Sequence, residues 1–267
     1  MREIEKTFRN LKARGEGALI AYVTAGDPKP EYTPRIVDAL INGGADIVEL
    51  GIPFSDPIAD GPTIQAATLR ALKAGTTPRM VLETAKEIKE KHDTPIVILT
   101  YYNPIFRMGL EKFLTLARKC KVDGLIVPDL PFEEASTYKE VAESHEIDII
   151  FLAAPSTSIE RLEKIIESAS GFLYLVSLYG VTGTREHIQD STVKLIEKFL
   201  PYTKNRIPMA VGFGISKPEH VKKIVESGAD GAIVGSAFVN IIRKNKRSFR
   251  KMLREIEENT CKLKKAT

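Results

Sequence analysis

Gly43-Gly-Ala-Asp-Ile-Val-Glu-Leu-Gly51 joins a helix stop, a tight turn and a strand within nine residues. Glycine ends the preceding helix, and the β-branched run after Asp46 starts a strand almost at once. The unit returns as Ser227-Gly-Ala-Asp-Gly-Ala-Ile-Val-Gly235 and, shortened, as Lys121-Val-Asp-Gly-Leu-Ile-Val127. A helix feeding a strand through so short a loop is half of a strand–helix repeat. Strand-like runs occupy residues 18–26, 46–51, 95–102, 124–130, 148–154, 172–180, 208–214 and 231–237. They are nearly continuous in apolar character, as parallel strands covered on both faces must be. Periodic helical segments separate them, and residues 2–14 form one more helix ahead of the first strand. Eight such units predict an α/β chain folded as a closed (β/α)8 (TIM) barrel with an extra N-terminal helix. The alternative is a doubly wound open sheet, which usually carries GxGxxG after its first strand; Thr24-Ala-Gly-Asp-Pro28 is not that fingerprint. No linker or low-complexity stretch divides the chain, so residues 1–267 read as a single barrel domain.

Composition narrows the function. The two cysteines, Cys120 and Cys261, match no CxxC spacing and read as reduced thiols. No apolar run reaches membrane-spanning length, and the start, MREIEKTFRN, lacks a signal-peptide core. We therefore expect a cytoplasmic protein with no membrane contact. The net charge is +4, but ten Lys/Arg against three Glu in residues 243–265 give +7 there and leave −3 elsewhere. That segment reads as one amphipathic terminal helix with Ile242, Phe249, Met252, Leu253 and Ile256 on its inner stripe, so its charges form a solvated face rather than a nucleic-acid surface.

In a barrel of this kind the site lies at the C-terminal ends of the strands. Alternation in DIVELG turns Val48 and Leu50 toward the helices and Ile47 and Glu49 inward, with Glu49 near the mouth. A buried salt bridge is the plain explanation for such a glutamate, but no strand-end Lys or Arg is available nearby. The following stretch, residues 51–62, holds Pro53, Asp56, Pro57, Asp60 and Pro62, a stiff loop that presents two aspartates. Two carboxylates, one on a strand and one on a held loop, suit proton transfer to a bound substrate. Tyr22, Thr24, Leu99, Tyr101, Asp129, Leu152 and Tyr174 sit at or near the mouth, a lining for a flat apolar ligand. For each aromatic, core packing and ligand contact both stand open; Asp129 alternatively caps the helical pattern that follows it.

No strand ends in lysine, so a Schiff-base aldolase lacks its nucleophile. His92, His145, His187 and His220 have no ligand spacing, so no metal site is expected. Gly212-Phe-Gly214-Ile-Ser216 closes the seventh strand and Gly235-Ser236-Ala237 the eighth, where barrels often bind phosphate with backbone N–H groups and a helix N-terminus. Residues 180–190, polar with glycines at the start, read either as a mobile lid or as an ordinary surface loop.

The motifs VTAGDP (23–28), ELGIPFSDPIADGPTIQ (49–65), VPDLP (127–131), YLVSLYGVTG (174–183), GFGIS (212–216) and GSA (235–237) resemble, in order and across the whole chain, those of the tryptophan synthase α subunit family. The resemblance implies a (β/α)8 barrel that splits indole-3-glycerol phosphate into indole and glyceraldehyde 3-phosphate. It implies Glu49 as general acid–base, Asp60 as second catalytic carboxylate and Tyr174 as the active-site tyrosine. Tyr22, Leu99, Leu152 and Phe213 fall on the indole-pocket positions, and Thr182 on the lid threonine that meets Asp60. Gly183, Gly214, Gly235 and Ser236 fall on phosphate-binding positions, and Pro53, Asp56 and Asn103 on the contact with a β subunit. The implied assembly is α2β2, with pyridoxal phosphate only in the β subunit and no cofactor in this chain. One departure is visible: Leu178-Tyr179 stands where many members have Arg-Ala, which bears on lid closure. Rival expectations are a phosphosugar isomerase on the same barrel, or an inactive subunit that only docks a partner.

Overall fold

The structure, a computed structural model, describes residues 1–176, 190–212 and 214–267. Its strands are β1 (Ala18–Thr24), β2 (Ile47–Gly51), β3 (Ile96–Leu99), β4 (Gly124–Ile126), β5 (Asp148–Ile150), β6 (Leu152–Ala153), β7 (Leu173–Val176), β8 (Met209–Gly212) and β9 (Gly231–Val234). Helices α1 (Glu3–Ala13), α2 (Thr33–Asn42), α3 (Pro62–Lys73), α4 (Pro78–Lys89), α5 (Tyr102–Met108) and α6 (Leu110–Lys119) lie in the first half. Helices α7 (Ser136–Ser144), α8 (Ile159–Ser168), α9 (Asp190–Thr203), α10 (Pro218–Glu226), α11 (Ser236–Lys244) and α12 (Phe249–Lys264) follow. Every strand pairing is parallel, in the order β5-β4-β3-β2-β1-β9-β8-β7-β6. The two ends of that order are consecutive pieces of one strand, interrupted at Phe151, so the sheet closes on itself as the expected barrel. Across the closure Ser170 stands in for a ladder residue: its N–H donates to Ile149 O and its hydroxyl accepts from Ile149 N–H, both at 2.8 Å.

The aspartates of the repeated unit explain why that unit starts strands. Asp46, Asp123 and Asp230 each donate a backbone N–H to the preceding strand and accept that same residue's N–H on Oδ2, at Leu19, Ile96 and Met209 respectively. Each pair forms a small closed ring that sets the register of neighbouring strands at their N-terminal ends. Lys264 neutralises Asp46 at 3.0 Å and Lys89 neutralises Asp123 at 3.1 Å.

Side-chain alternation follows the expected parity. Ile20, Ile47, Val97, Ile126, Ile150 and Ile233 fill the barrel, while Leu19, Val48, Leu50, Ile98 and Leu125 pack beneath the helices. The N-terminal helix plugs the lower end of the barrel with Ile4, Phe8 and Leu11, its Phe8 ring 5.8 Å from Phe172.

Two expectations are corrected. The basic terminal segment is not one helix: α11 ends at Lys244, and Ile242 belongs to it rather than to α12. Asn245 causes the break, because its side-chain amide donates to Ile241 O at 3.1 Å and to Glu255 Oε2 at 2.7 Å. Asp129 caps no helix after it. Its carboxylate accepts from Tyr102 N–H at 2.9 Å and so holds the start of α5, which ends β3 earlier than its apolar run suggests.

Candidate active site

Glu49 stands on β2 between Tyr22 of β1 and Val97 of β3, and its side chain points into the barrel mouth with no exposure to solvent. Among the described residues neither of its carboxyl oxygens has a hydrogen-bond partner and no cation acts on it. No salt bridge among the described residues accounts for it. Burial, reinforced by the nearby Asp60 charge, pushes the Glu49 carboxyl up to about 8.

Asp60 ends the proline-rich loop, one residue before the Gly61 N-cap of α3. Tyr101 accepts the Ala59 N–H at 2.9 Å and hydrogen-bonds the Asp60 carboxyl, while the Gln65 amide donates to Asp60 O at 2.8 Å. Burial pushes Asp60 up to about 6, and the Tyr101 bond partly offsets it. Two carboxyls thus face one space with different proton affinities: near neutral pH Glu49 holds its proton and Asp60 has lost its own.

The space between them is a cavity of about 70 Å³ lined by Tyr22, Glu49, Asp60, Gly61, Ile64, Leu99, Tyr174, Gly214, Ile215, Ile233, Gly235 and Ser236. Its walls are apolar and aromatic on the barrel side. On the far side Gly235 precedes and Ser236 opens α11, a helix start that no described side chain caps. Such an end offers free N–H groups and a favourable dipole to an anion. Gly214 has φ +77°, a backbone that favours glycine and brings the chain close to the cavity. Close approach also explains Gly51 and Gly212. A Cβ on Gly51 would lie 2.4 Å from the Tyr22 hydroxyl, and one on Gly212 would lie 2.4 Å from that of Tyr174. Both tyrosines lie against bare backbone.

The structure thus brings together Glu49, Asp60, Tyr22, Leu99, Tyr174, Gly214, Gly235 and Ser236. Thr182, Gly183 and Phe213, with Leu178-Tyr179 and most of the 180–190 stretch, lie outside the described residues. Tyr101 is buried behind Asp60 rather than in the cavity wall, and Leu152 packs on the barrel interior beside a separate groove with Phe151 and Arg161. Gly61, Ile64, Ile215 and Ile233 were not expected in the lining. Ile233 was within reach of parity reasoning on GAIV; Ile64 and Ile215 look like core residues in any pattern. Around the mouth, Asp56 and Asn103 are exposed and Pro53 is buried, and Ile58 and Phe106 are large apolar side chains 76% and 70% exposed.

This geometry can be set beside known proteins. The family profile for the tryptophan synthase alpha chain matches residues 8–267. The tryptophan synthase alpha chain of Methanosarcina barkeri is 51% identical over 244 residues, covering 91% of this chain and 90% of its own. That of Arabidopsis thaliana is 46% identical over 263 residues, covering 98% and 94%. Among solved structures, a chain of the tryptophan synthase complex from Pyrococcus furiosus superposes with a TM-score of 0.85 at 43% identity, covering 93% of this chain and 98% of that one. Profile, sequence and structure agree over nearly the whole length, and the chain belongs to the tryptophan synthase alpha chain family.

Proposed function

We infer that the cavity cleaves indole-3-glycerol phosphate to indole and glyceraldehyde 3-phosphate, a lyase step of tryptophan biosynthesis, by proton transfer between two carboxyls. The observation that carries this reading is Glu49, sealed from water, unpartnered among the described residues and protonated at neutral pH opposite an ionised Asp60.

Breaking the bond between the ring and the glycerol chain requires the indole to become a leaving group. Glu49 donates its proton to indole C3, while Asp60 accepts the hydrogen bond of the ring N–H and steadies the positive charge that develops there. The Glu49 carboxylate then takes the proton of the hydroxyl on the carbon attached to C3. The C–C bond breaks, its electrons return to the ring, and the hydroxyl carbon leaves as the aldehyde of glyceraldehyde 3-phosphate. Glu49 ends protonated, as it began. Positioned acid–base help of this kind contributes roughly 10²–10⁴-fold. Orientation supplies more: Tyr22, Leu99, Tyr174 and Ile64 form the apolar slot for the ring, and Gly214, Gly235 and Ser236 hold the phosphate. Leu152, Thr182, Gly183 and Phe213 keep their proposed substrate roles from the sequence.

We further propose a β subunit as partner in an α2β2 assembly, docked on the mouth through the loop around Pro53 and Asp56 and the start of α5 at Asn103. Ile58 on the same loop and Phe106 on the same helix add two large, exposed apolar side chains to the proposed contact. Pyridoxal phosphate would belong to that partner. The free thiols of Cys120 and Cys261 agree with a reducing, cytoplasmic setting. Mixing the chain with indole-3-glycerol phosphate and following indole release, with and without a β subunit, tests the reading; no indole under either condition overturns it.

A further inference from the structure

The VTAGDP motif contributes almost nothing to the cavity wall, yet its turn holds an unusually buried ion pair. Asp27, with a fully buried side chain, accepts two hydrogen bonds from the Arg70 guanidinium, Nε to Oδ1 and NH2 to Oδ2, both at 2.7 Å. Burial raises the Asp27 carboxyl, and Arg70, with a smaller contribution from Lys246, opposes this. The same turn touches three further elements. Ala25 N–H donates to Gly51 O at the end of β2, two residues beyond Glu49. Gly26 N–H donates to Thr33 Oγ1 of α2 at 2.9 Å. Gly26, at φ +85°, also packs so tightly on Thr76, just past α3, that a Cβ there would lie 1.9 Å from Thr76 Oγ1. Arg70 and Thr76 lie at and beyond the C-terminal half of α3, the helix whose N-terminal end follows Asp60 and carries Gly61 and Ile64 into the cavity.

We propose that Asp27 and Arg70 are a positioning pair: through one buried turn they fix α3, and with it Asp60, against the end of β2, and so set the separation of the two carboxyls. A paired fork suits this better than a packed apolar contact, because it specifies direction as well as distance. This rests on the two-carboxyl reading above.

The test uses Arg70→Lys, which keeps the charge but loses the fork, and Arg70→Met, which keeps the length but loses both. Each is assayed for fold by circular dichroism, for indole production, and for glycerol 3-phosphate affinity. The Glu49 carboxyl is titrated by carbon NMR in parallel. A carboxyl displaced by about 1 Å should lower kcat about 10- to 100-fold, while KM and glycerol 3-phosphate affinity stay within about threefold. The Glu49 midpoint should fall as the Asp60 charge recedes. Folded variants with kcat and Glu49 midpoint both unchanged overturn the proposal, and so does a kcat loss matched by an equal loss of glycerol 3-phosphate affinity. If the unaltered chain releases no indole, the catalytic reading fails by itself, and the Glu49 titration still decides the pair.

Discussion

Replacing Glu49 by glutamine should stabilise the protein, and by an amount that depends on pH in a defined way. In the unfolded chain the carboxyl titrates at its ordinary value of 4.5, whereas in the folded protein burial pushes it up to about 8. Below the unfolded value both states are neutral, so the buried group costs nothing through ionisation. As pH rises from there, the unfolded chain loses the proton and the folded one keeps it, so folding weakens by about 1.4 kcal/mol per pH unit. Above the folded value both states are ionised and the deficit levels off. The direction is that of a raised carboxyl: stability is fully present at acid pH and lost as pH climbs. The deficit amounts to about 3 kcal/mol at neutral pH and about 5 kcal/mol at its limit. Glutamine has the same shape and no titration. Urea unfolding of both proteins from about pH 5 to about pH 9 measures the difference, in which the other titrating groups largely cancel. The amide carries its own fixed desolvation cost, so the test is the slope and not the offset. A difference that stays flat over this range refutes the assignment of Glu49 as a buried, unpartnered acid. Catalysis should be abolished in the same variant while phosphate ligands still bind.

The ionic forms required for the reaction, Glu49 protonated and Asp60 ionised, coexist between about 6 and about 8, so kcat/KM should trace a bell with limbs near those values. A single-limbed profile would exclude one of the two carboxyls from the reaction. Tyr101→Phe removes the bond that favours ionised Asp60, so the acid limb should move upward and the bell narrow; an unmoved limb shows that the hydroxyl serves only the loop. Asp60→Asn should lower kcat by about 10²- to 10⁴-fold with little change in the unfolding midpoint, whereas a large midpoint loss alone would make the aspartate structural. Gly212→Ala drives a methyl against the Tyr174 ring, overpacking worth roughly 1–3 kcal/mol, and should lower kcat/KM about tenfold or more; wild-type values would mean that the ring yields freely.

Much of the barrel was legible because its repeated unit encodes both a stop and a start. Asp46, Asp123 and Asp230 are readable as turn residues, and in the structure the same carboxylates bind the neighbouring strand. Parity placed Glu49 correctly because a strand has only two faces. Asp60 was legible as a candidate through its stiff loop, but its setting was not. The Tyr101 hydroxyl reaches Asp60 from β3's far end, and nothing in the spacing separates that from contact with a ligand. The helix break at Asn245 was hidden because the apolar period runs on through it, and the cost of stopping is met by a side-chain amide. Gly51 and Gly212 escaped notice for a similar reason: their meaning lies in tyrosines one strand away.

The interruption at Phe151 has a topological consequence. A circular sheet has no exposed edge on which a second molecule can add a strand, and here the circle is completed by two peptide bonds and one serine. A circular permutant with new termini at Phe151 would convert that seam into two raw edges, inviting association between molecules. One opened at the loop between α6 and β4 would keep the ring intact and remain dispersed.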